Sequence, residues 1–298
     1  MEAAVVRVKK GEARALKAGG MWIYDNEIDK ITGDFENGDM VLVEDFDGYC
    51  LGHGFINTKS KITIRMMSRK KEAVVDEAFI EMRVRNAWEY RKNTVDTGSC
   101  RLIFGEADQL PGLTVDRYND ILVAQISSFG MDKIKDMLYE VLLEVLKEDG
   151  QNVKGIYERN DIKVRAKEGL PLEKGYWRQA QLPTKTVINE NGLLLNVDVE
   201  NGQKTGYFLD QKSNRVLLRK MAHGKRVMDC FTHTGGFALN AAYGQALEVV
   251  AVDVSQTALD QAYENAKLNH LEDRMSFVKA DVFDYLDECE SGRFDIIV

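Results

Sequence analysis

The chain has 298 residues, of which 44% are hydrophobic and 30% charged, enough apolar material for two or three globular domains. Only 3 prolines and no Ser/Gly/Pro tract argue against long disordered linkers, and no apolar run approaches the roughly 18 residues of a membrane span. The formal net charge of −8 disfavours nucleic acid as a partner when taken as an average. The N-terminus lacks the basic and apolar blocks of a secretory leader. The four cysteines (Cys50, Cys100, Cys230, Cys289) show neither CxxC nor zinc spacing, which points to a reducing cytoplasm and no metal.

In chain order, the first segment, 1–71, reads as a small β module. Strands are expected at 5–8, 39–43 and 49–57, with the hairpin signal Asp47-Gly48 between the last two, and at the alternating Ile62, Ile64, Met66. The same stretch carries Lys59, Lys61, Arg65, Arg69, Lys70 and Lys71 with no acid among them, against the sign of the whole chain. A mixed α/β segment follows at 72–185. It has helices at 77–92 and 131–147 on 3.6-residue apolar spacing, a turn at Leu110-Pro111-Gly112, and strands at 101–104, 113–116, 121–127 and 155–158. Trp22, Trp88 and Trp177 are read as packing residues rather than base-stacking ones.

From 186 the pattern becomes strictly alternating: strands at 193–199, 226–229, 248–253 and 275–279, helices at 214–221, 236–243, 256–269 and 282–289, and a β-rich run at 294–298. Apolar strands alternating with helices predict a parallel sheet covered on both faces. Because the chain stops inside a strand-like run, the expectation is of a truncated sheet and an inactive fragment.

Ligands of such sheets bind beyond the carboxyl ends of the strands. There the sequence places Asp229, the loop Phe231, Thr232, His233, Gly235, Gly236, then Asp253 with Val254 and Ser255, then Asp281 with Val282. Neither GxGxxG nor GxxxxGK[ST] is present, so a dinucleotide or a P-loop triphosphate is disfavoured. Three acids at successive strand ends suit a cationic adenosyl ligand, S-adenosylmethionine. Asp229 would face its ammonium, Asp253 its ribose hydroxyls, Asp281 its adenine amino group, and Val282 would pack on the ring. His233 is read as a loop residue rather than a base.

The run Asn201-Gly202-Gln203-Lys204-Thr205-Gly206-Tyr207-Phe208-Leu209-Asp210-Gln211-Lys212-Ser213-Asn214-Arg215, followed by Val227-Met228-Asp229-Cys230-Phe231, resembles the class I S-adenosylmethionine-dependent 23S rRNA methyltransferases. Within them it is most similar to the bacterial cytosine-C5 subgroup with an N-terminal PUA domain. The stretches 101–108, 110–113 and 115–118 resemble that family's central domain, and Gly19-Gly20-Met21-Trp22-Ile23-Tyr24 its PUA domain.

The resemblance implies an α/β and α+β multidomain protein with a PUA-like β-barrel at 1–71, a central α/β domain at 72–185 and a Rossmann-like class I methyltransferase domain at 186–298. It implies that Lys204, Thr205, Phe208 and Asp210 lie near the methionine end of the cofactor. It also implies that the first two domains grip large-subunit rRNA, which gives the basic run at 59–71 a function; a homodimer is left open. Met21 departs from a histidine–proline pair frequent in the family. The family's proline-proline segment and nucleophilic cysteine fall beyond Val298, so no catalytic nucleophile is assigned. The alternatives are a guanine-N7 or guanine-N2 methyltransferase, or an RNA-binding fragment.

Overall fold

The structure is a computed structural model that describes residues 4–179 and 181–298. The first residues of the leader reading, 1–3, lie outside the described residues. The chain divides into two compact units, up to Pro183 and from Thr184.

The first unit opens with β1 (Val5–Val8), α1 (Ala13–Lys17), β2 (Trp22–Tyr24), β3 (Ile28–Thr32), β4 (Met40–Glu44), β5 (Cys50–Ile56) and β6 (Ile62–Ser68). They form one sheet in the order β2-β6-β5-β4-β1-β3, antiparallel except for β1 against β4. Its two edge strands are joined by the single turn Asp25–Glu27, which brings the ends of the sheet together into a barrel. Alternate residues point inward, so Val6, Val8, Ile23, Val41, Val43, Ile56 and Ile64 make a core of their own.

A second layer follows: α2 (Glu77–Thr94), β7 (Ser99–Phe104), β8 (Leu113–Tyr118), β9 (Ile121–Ile126), α3 (Phe129–Lys133), α4 (Lys135–Glu148), β10 (Gly155–Asn160), α5 (Val164–Glu168) and β11 (Glu173–Tyr176). Its sheet runs β11-β10-β9-β8-β7, with β9 and β10 parallel. Asp76 caps α2 by accepting from Phe79 N (2.9 Å), and the helix buries Ile80, Val84, Ala87 and Trp88 against this sheet. Phe55 and Met67 of the barrel sink into the same core. The helix expected at 131–147 is broken at Ile134 (φ −105°, ψ 10°). Its first turn presses Gly130 so closely on Phe55 that an added Cβ would lie 2.1 Å from the ring, a contact that the periodicity does not reveal.

The second unit begins with the hairpin β12 (Lys185–Glu190) and β13 (Leu193–Asp198), then α6 (Lys212–Met221). Next come β14 (Arg226–Cys230), α7 (Gly236–Tyr243), β15 (Glu248–Asp253), α8 (Gln256–Leu268), β16 (Met275–Lys279), α9 (Val282–Asp287) and β17 (Ile296–Ile297). The sheet is parallel throughout, in the order β16-β15-β14-β17, as the alternating pattern predicts. Among the described residues no helix is long and apolar enough to cross a membrane, and no cluster of His, Cys, Asp or Glu could hold a metal ion.

Candidate active site

At the carboxyl ends of β14 and β15 the chain is held in an unusual shape. Phe231 (φ 54°), His233 (φ 51°) and Gly235 (φ 81°) all lie in the left-handed region, which costs a non-glycine residue of order 1 kcal/mol or more. Buried hydrogen bonds hold the strain. Thr232 N donates to Val252 O (3.0 Å), His233 N to Asp253 Oδ2 (2.9 Å), and Gly235 N to Thr232 O (2.9 Å). Gly236 then starts α7 directly beneath a tyrosine: an added Cβ would stand 2.6 Å from the Tyr207 hydroxyl oxygen.

The three strand-end acids have different fates. Asp229 is 2% exposed, and its Oδ2 accepts from Thr232 Oγ1 (2.5 Å) and Ala238 N (2.9 Å). It braces the loop from below instead of facing a ligand ammonium, because the loop's own donors reach it first. Asp281 is exposed but caps α9, accepting from Phe283 N (2.8 Å) and Asp284 N (3.4 Å). Val282 is buried among Met228, Val250 and Val252, so its side chain has no face for a ring. Asp253 alone is half-buried at a cleft: it accepts from His233 N and Ser255 N (both 2.9 Å) and keeps a second lone pair on each oxygen.

Burial pushes Asp229 up to about 6, against the hydrogen bonds from Thr232 and Ala238, and the Asp253 carboxylate adds to the rise. The folded value lies above the unfolded one near 3.9, so the protonated form is the favoured one. Its contribution to stability is complete below about pH 4 and disappears as pH rises through about 6. We expect Asp229→Asn, which keeps an acceptor for both donors, to remove this dependence. Urea unfolding between pH 4 and 7 should show the wild type losing on the order of 2–3 kcal/mol more than the variant. Parallel curves would refute it.

The run 203–215 folds onto this loop. Lys204 Nζ lies 3.0 Å from Asp210 Oδ1 and 4.4 Å from the Phe208 ring centroid, and Phe208 meets the His233 ring edge-on at 5.7 Å. Burial would raise Asp210, but hydrogen bonds from Lys204 and Gln211 hold it below the ordinary range. Burial lowers His233, with Asp253 opposing. Thr205 is buried.

Two residues of larger structural weight were not expected. Arg215 forks onto Glu190, with Nε to Oε1 at 2.6 Å and Nη2 to Oε2 at 2.7 Å. It also donates to Phe208 O (2.9 Å) and lies over the Tyr207 ring.

The cleft itself, about 630 Å³, opens between this loop, α8 and the hairpin. Its wall is fixed by amides of α8. Asn269 exchanges hydrogen bonds with Leu194 N and O, while Asn265 accepts from Asn196 N and donates to Thr234 O. Four carboxylates line it, Asp198, Asp253, Asp260 and Glu264, against one ammonium, Lys185. Asp260 and Glu264 lie on α8 and Asp198 ends the hairpin strand β13, outside the parallel sheet whose strand ends the sequence points to. On the other side of the strand ends, exposed Phe231 and Phe283 meet edge-on at 6.1 Å, and Val254 is exposed at the end of the strand between them.

In the first unit the basic run does not form one patch. Lys59 and Lys61 precede β6 while Arg69, Lys70 and Lys71 follow it, so its seven residues separate them by roughly 25 Å. Arg65 is buried within the strand and donates to Glu168 (2.9 Å), which excludes it from an RNA surface as the side chain stands. Arg69 spends its guanidinium on the carbonyls of Leu16 and Gly20. Trp88 is core, whereas Trp22 is 39% exposed with the Arg65 guanidinium over its ring.

Comparison with known proteins agrees with this architecture. The PUA-like domain family matches residues 6–69, and the S-adenosylmethionine-dependent methyltransferase family matches residues 172–298. The ribosomal RNA large subunit methyltransferase I of Aeromonas salmonicida is 41% identical over 97% of this chain and 73% of its own. That of Aliivibrio fischeri (strain MJ11) is 37% identical over 98% and 74%. Among solved structures, a chain from Streptococcus mutans superposes with a TM-score of 0.80 at 24% identity, covering 98% of this chain and 75% of that one. SMU.776 complexed with SAH gives 0.83 at 24% identity, covering 98% and 74%; both likenesses are of fold. With similarity running along nearly the whole of this chain and about three quarters of its named relatives, the chain belongs to the ribosomal RNA large subunit methyltransferase I family of S-adenosylmethionine-dependent methyltransferases.

Proposed function

We propose that the protein transfers a methyl group from S-adenosylmethionine to C5 of a cytosine in large-subunit ribosomal RNA, in the cytoplasm. The observation that carries the cofactor half is the acidic cleft at the end of β15. Its volume lies in the range of about 300–1,000 Å³ typical of small-ligand sites. Its carboxylates suit a ligand with cationic sulfonium and ammonium groups and repel phosphates. The residues therefore fit the group, which when bound supplies an activated methyl on sulfur.

Asp253 would hold ribose hydroxyls through its unused lone pairs. Lys204, Thr205, Phe208 and Asp210, with the loop Phe231, Thr232, Gly235 and Gly236, would close around the methionine end. Val254, Ser255 and the cap residue Asp281 would flank the base. Asp229 acts by holding the loop.

The RNA half is supported by the relatives' names and by the exposed cations Lys59, Lys61, Arg69, Lys70 and Lys71. A base inside a helix must be flipped out to reach the methyl donor. Attack at C6 of cytosine requires a thiolate. None of the four cysteines is assigned that part; burial, with Asp229 nearby, pushes the Cys230 thiol up and disfavours its thiolate.

Calorimetry with S-adenosylhomocysteine tests the cofactor half. Asp253→Asn loses the charge and leaves one acceptor oxygen where His233 N and Ser255 N now bond separate ones, and its affinity is expected to fall about tenfold or more. Unchanged affinity would remove the ribose role. Nucleoside analysis of treated large-subunit RNA tests the rest: 5-methylcytidine supports C5 transfer, and a methylguanosine replaces it with the nitrogen reading.

A further inference from the structure

A groove of about 730 Å³ in the first unit lies between β6 and α2, and takes in the end of the basic run together with residues of α2. Its cations are Arg69, Lys70 and Arg83. Among the described residues none of the three pairs with a carboxylate. Arg69 bonds only to backbone carbonyls, and Lys70 Nζ makes no hydrogen bond or ion pair.

Arg83 is the most telling. It is half-buried, its Nε is shielded from solvent with no hydrogen-bond partner, and its one contact of note is the Phe79 ring at 4.9 Å. Burial lowers its pKa with no anion to offset the cost. A cation desolvated without a counterion is expensive, so the arrangement makes physical sense when an external anion completes it. The groove's one carboxylate, Glu106, already accepts from Trp22 Nε1 (2.7 Å).

The remaining lining has a second character. Met21, Met82 and Phe79 offer soft apolar surface, and Met82 is 44% exposed. Asn86 and Gln109 add amide donors and acceptors beside them. Flat apolar contact, amide edges and unpaired cations together match one ligand chemistry: a nucleobase stacked on the wall with its phosphate at the guanidinium.

We propose that this groove binds an unpaired stretch of RNA, with Arg83 of α2 and Arg69 and Lys70 of the barrel holding its backbone while bases stack on Met82 and Phe79. It rests on the reading that the substrate is RNA, and places single-strand recognition where the barrel meets the central layer.

Fluorescence anisotropy on the full chain, with an unstructured RNA of about 12 nucleotides and a duplex of the same length, tests it. The wild type is expected to prefer the single strand. Arg83→Ala should weaken single-strand binding about tenfold and reduce its salt dependence, with little effect on the duplex. Met82→Glu, at an exposed helix position where folding is not at risk, should act in the same direction by repelling phosphate.

If the wild type binds RNA and both variants bind equally well, the groove assignment falls while the RNA substrate stands. If the wild type neither binds nor methylates large-subunit RNA, the substrate reading falls and takes the groove with it. A photoreactive side chain at position 82 that cross-links protein rather than RNA also overturns the proposal.

Discussion

Replacing Arg215 by methionine is expected to destabilise the second unit by about 3–5 kcal/mol, read as a drop in its urea midpoint. The guanidinium and the Glu190 carboxylate expose only 3% and 1% of their side chains, and they meet through two parallel bonds of 2.6 and 2.7 Å. Removing the arginine leaves a carboxylate in the core with no counter-charge. The cost is the desolvation of Glu190, not the intrinsic worth of the pair. The double variant Arg215→Met with Glu190→Leu should therefore recover most of the lost stability.

Function should not follow. Arg215 also donates to Phe208 O (2.9 Å), and Phe208 packs edge-on against His233 in the loop after β14. A double variant that regains its urea midpoint but binds S-adenosylhomocysteine more weakly would show that the pair positions this loop. Recovery of both would reduce it to a replaceable element of packing.

The parallel sheet was legible because its code is local. Apolar strands of five or six residues alternate with amphipathic helices, and β14, β15 and β16 fall within a residue of their expected limits. Strands β2, β3 and β11 were not legible: they have three to five residues, are largely exposed and pair with strands from which another element separates them in sequence, whereas β12 was missed although Asn191-Gly192 joins it to β13 as a hairpin.

The acids show the same division. Their positions at strand ends follow from the pattern, but their hydrogen-bond partners do not. Asp229 turns inward to Thr232 and Ala238, and Asp281 caps its own helix. The negative field expected from three strand-end carboxylates is instead made by Asp253 with Asp198, Asp260 and Glu264.

Glu168→Gln is expected to destabilise the first unit by about 3–5 kcal/mol, whereas Arg65→Met should cost clearly less. Glu168, 2% exposed at the end of α5, accepts from Arg65 Nη2 (2.9 Å), Ser60 Oγ (2.5 Å) and Asn57 Nδ2 (3.0 Å).

Neutralising it leaves the buried Arg65 guanidinium, whose Nε already lacks a partner, without a counter-charge within 3.5 Å; its remaining anion, Glu106, is 4.0 Å away. Removing the arginine instead leaves a carboxylate that still accepts from two neutral donors. The asymmetry separates a structural arginine from an RNA-facing one. If Arg65 served RNA, Arg65→Met would weaken RNA binding at unchanged stability. The buried network requires the reverse, with urea midpoints lowered in both variants, more in Glu168→Gln, and RNA affinity of the folded protein retained.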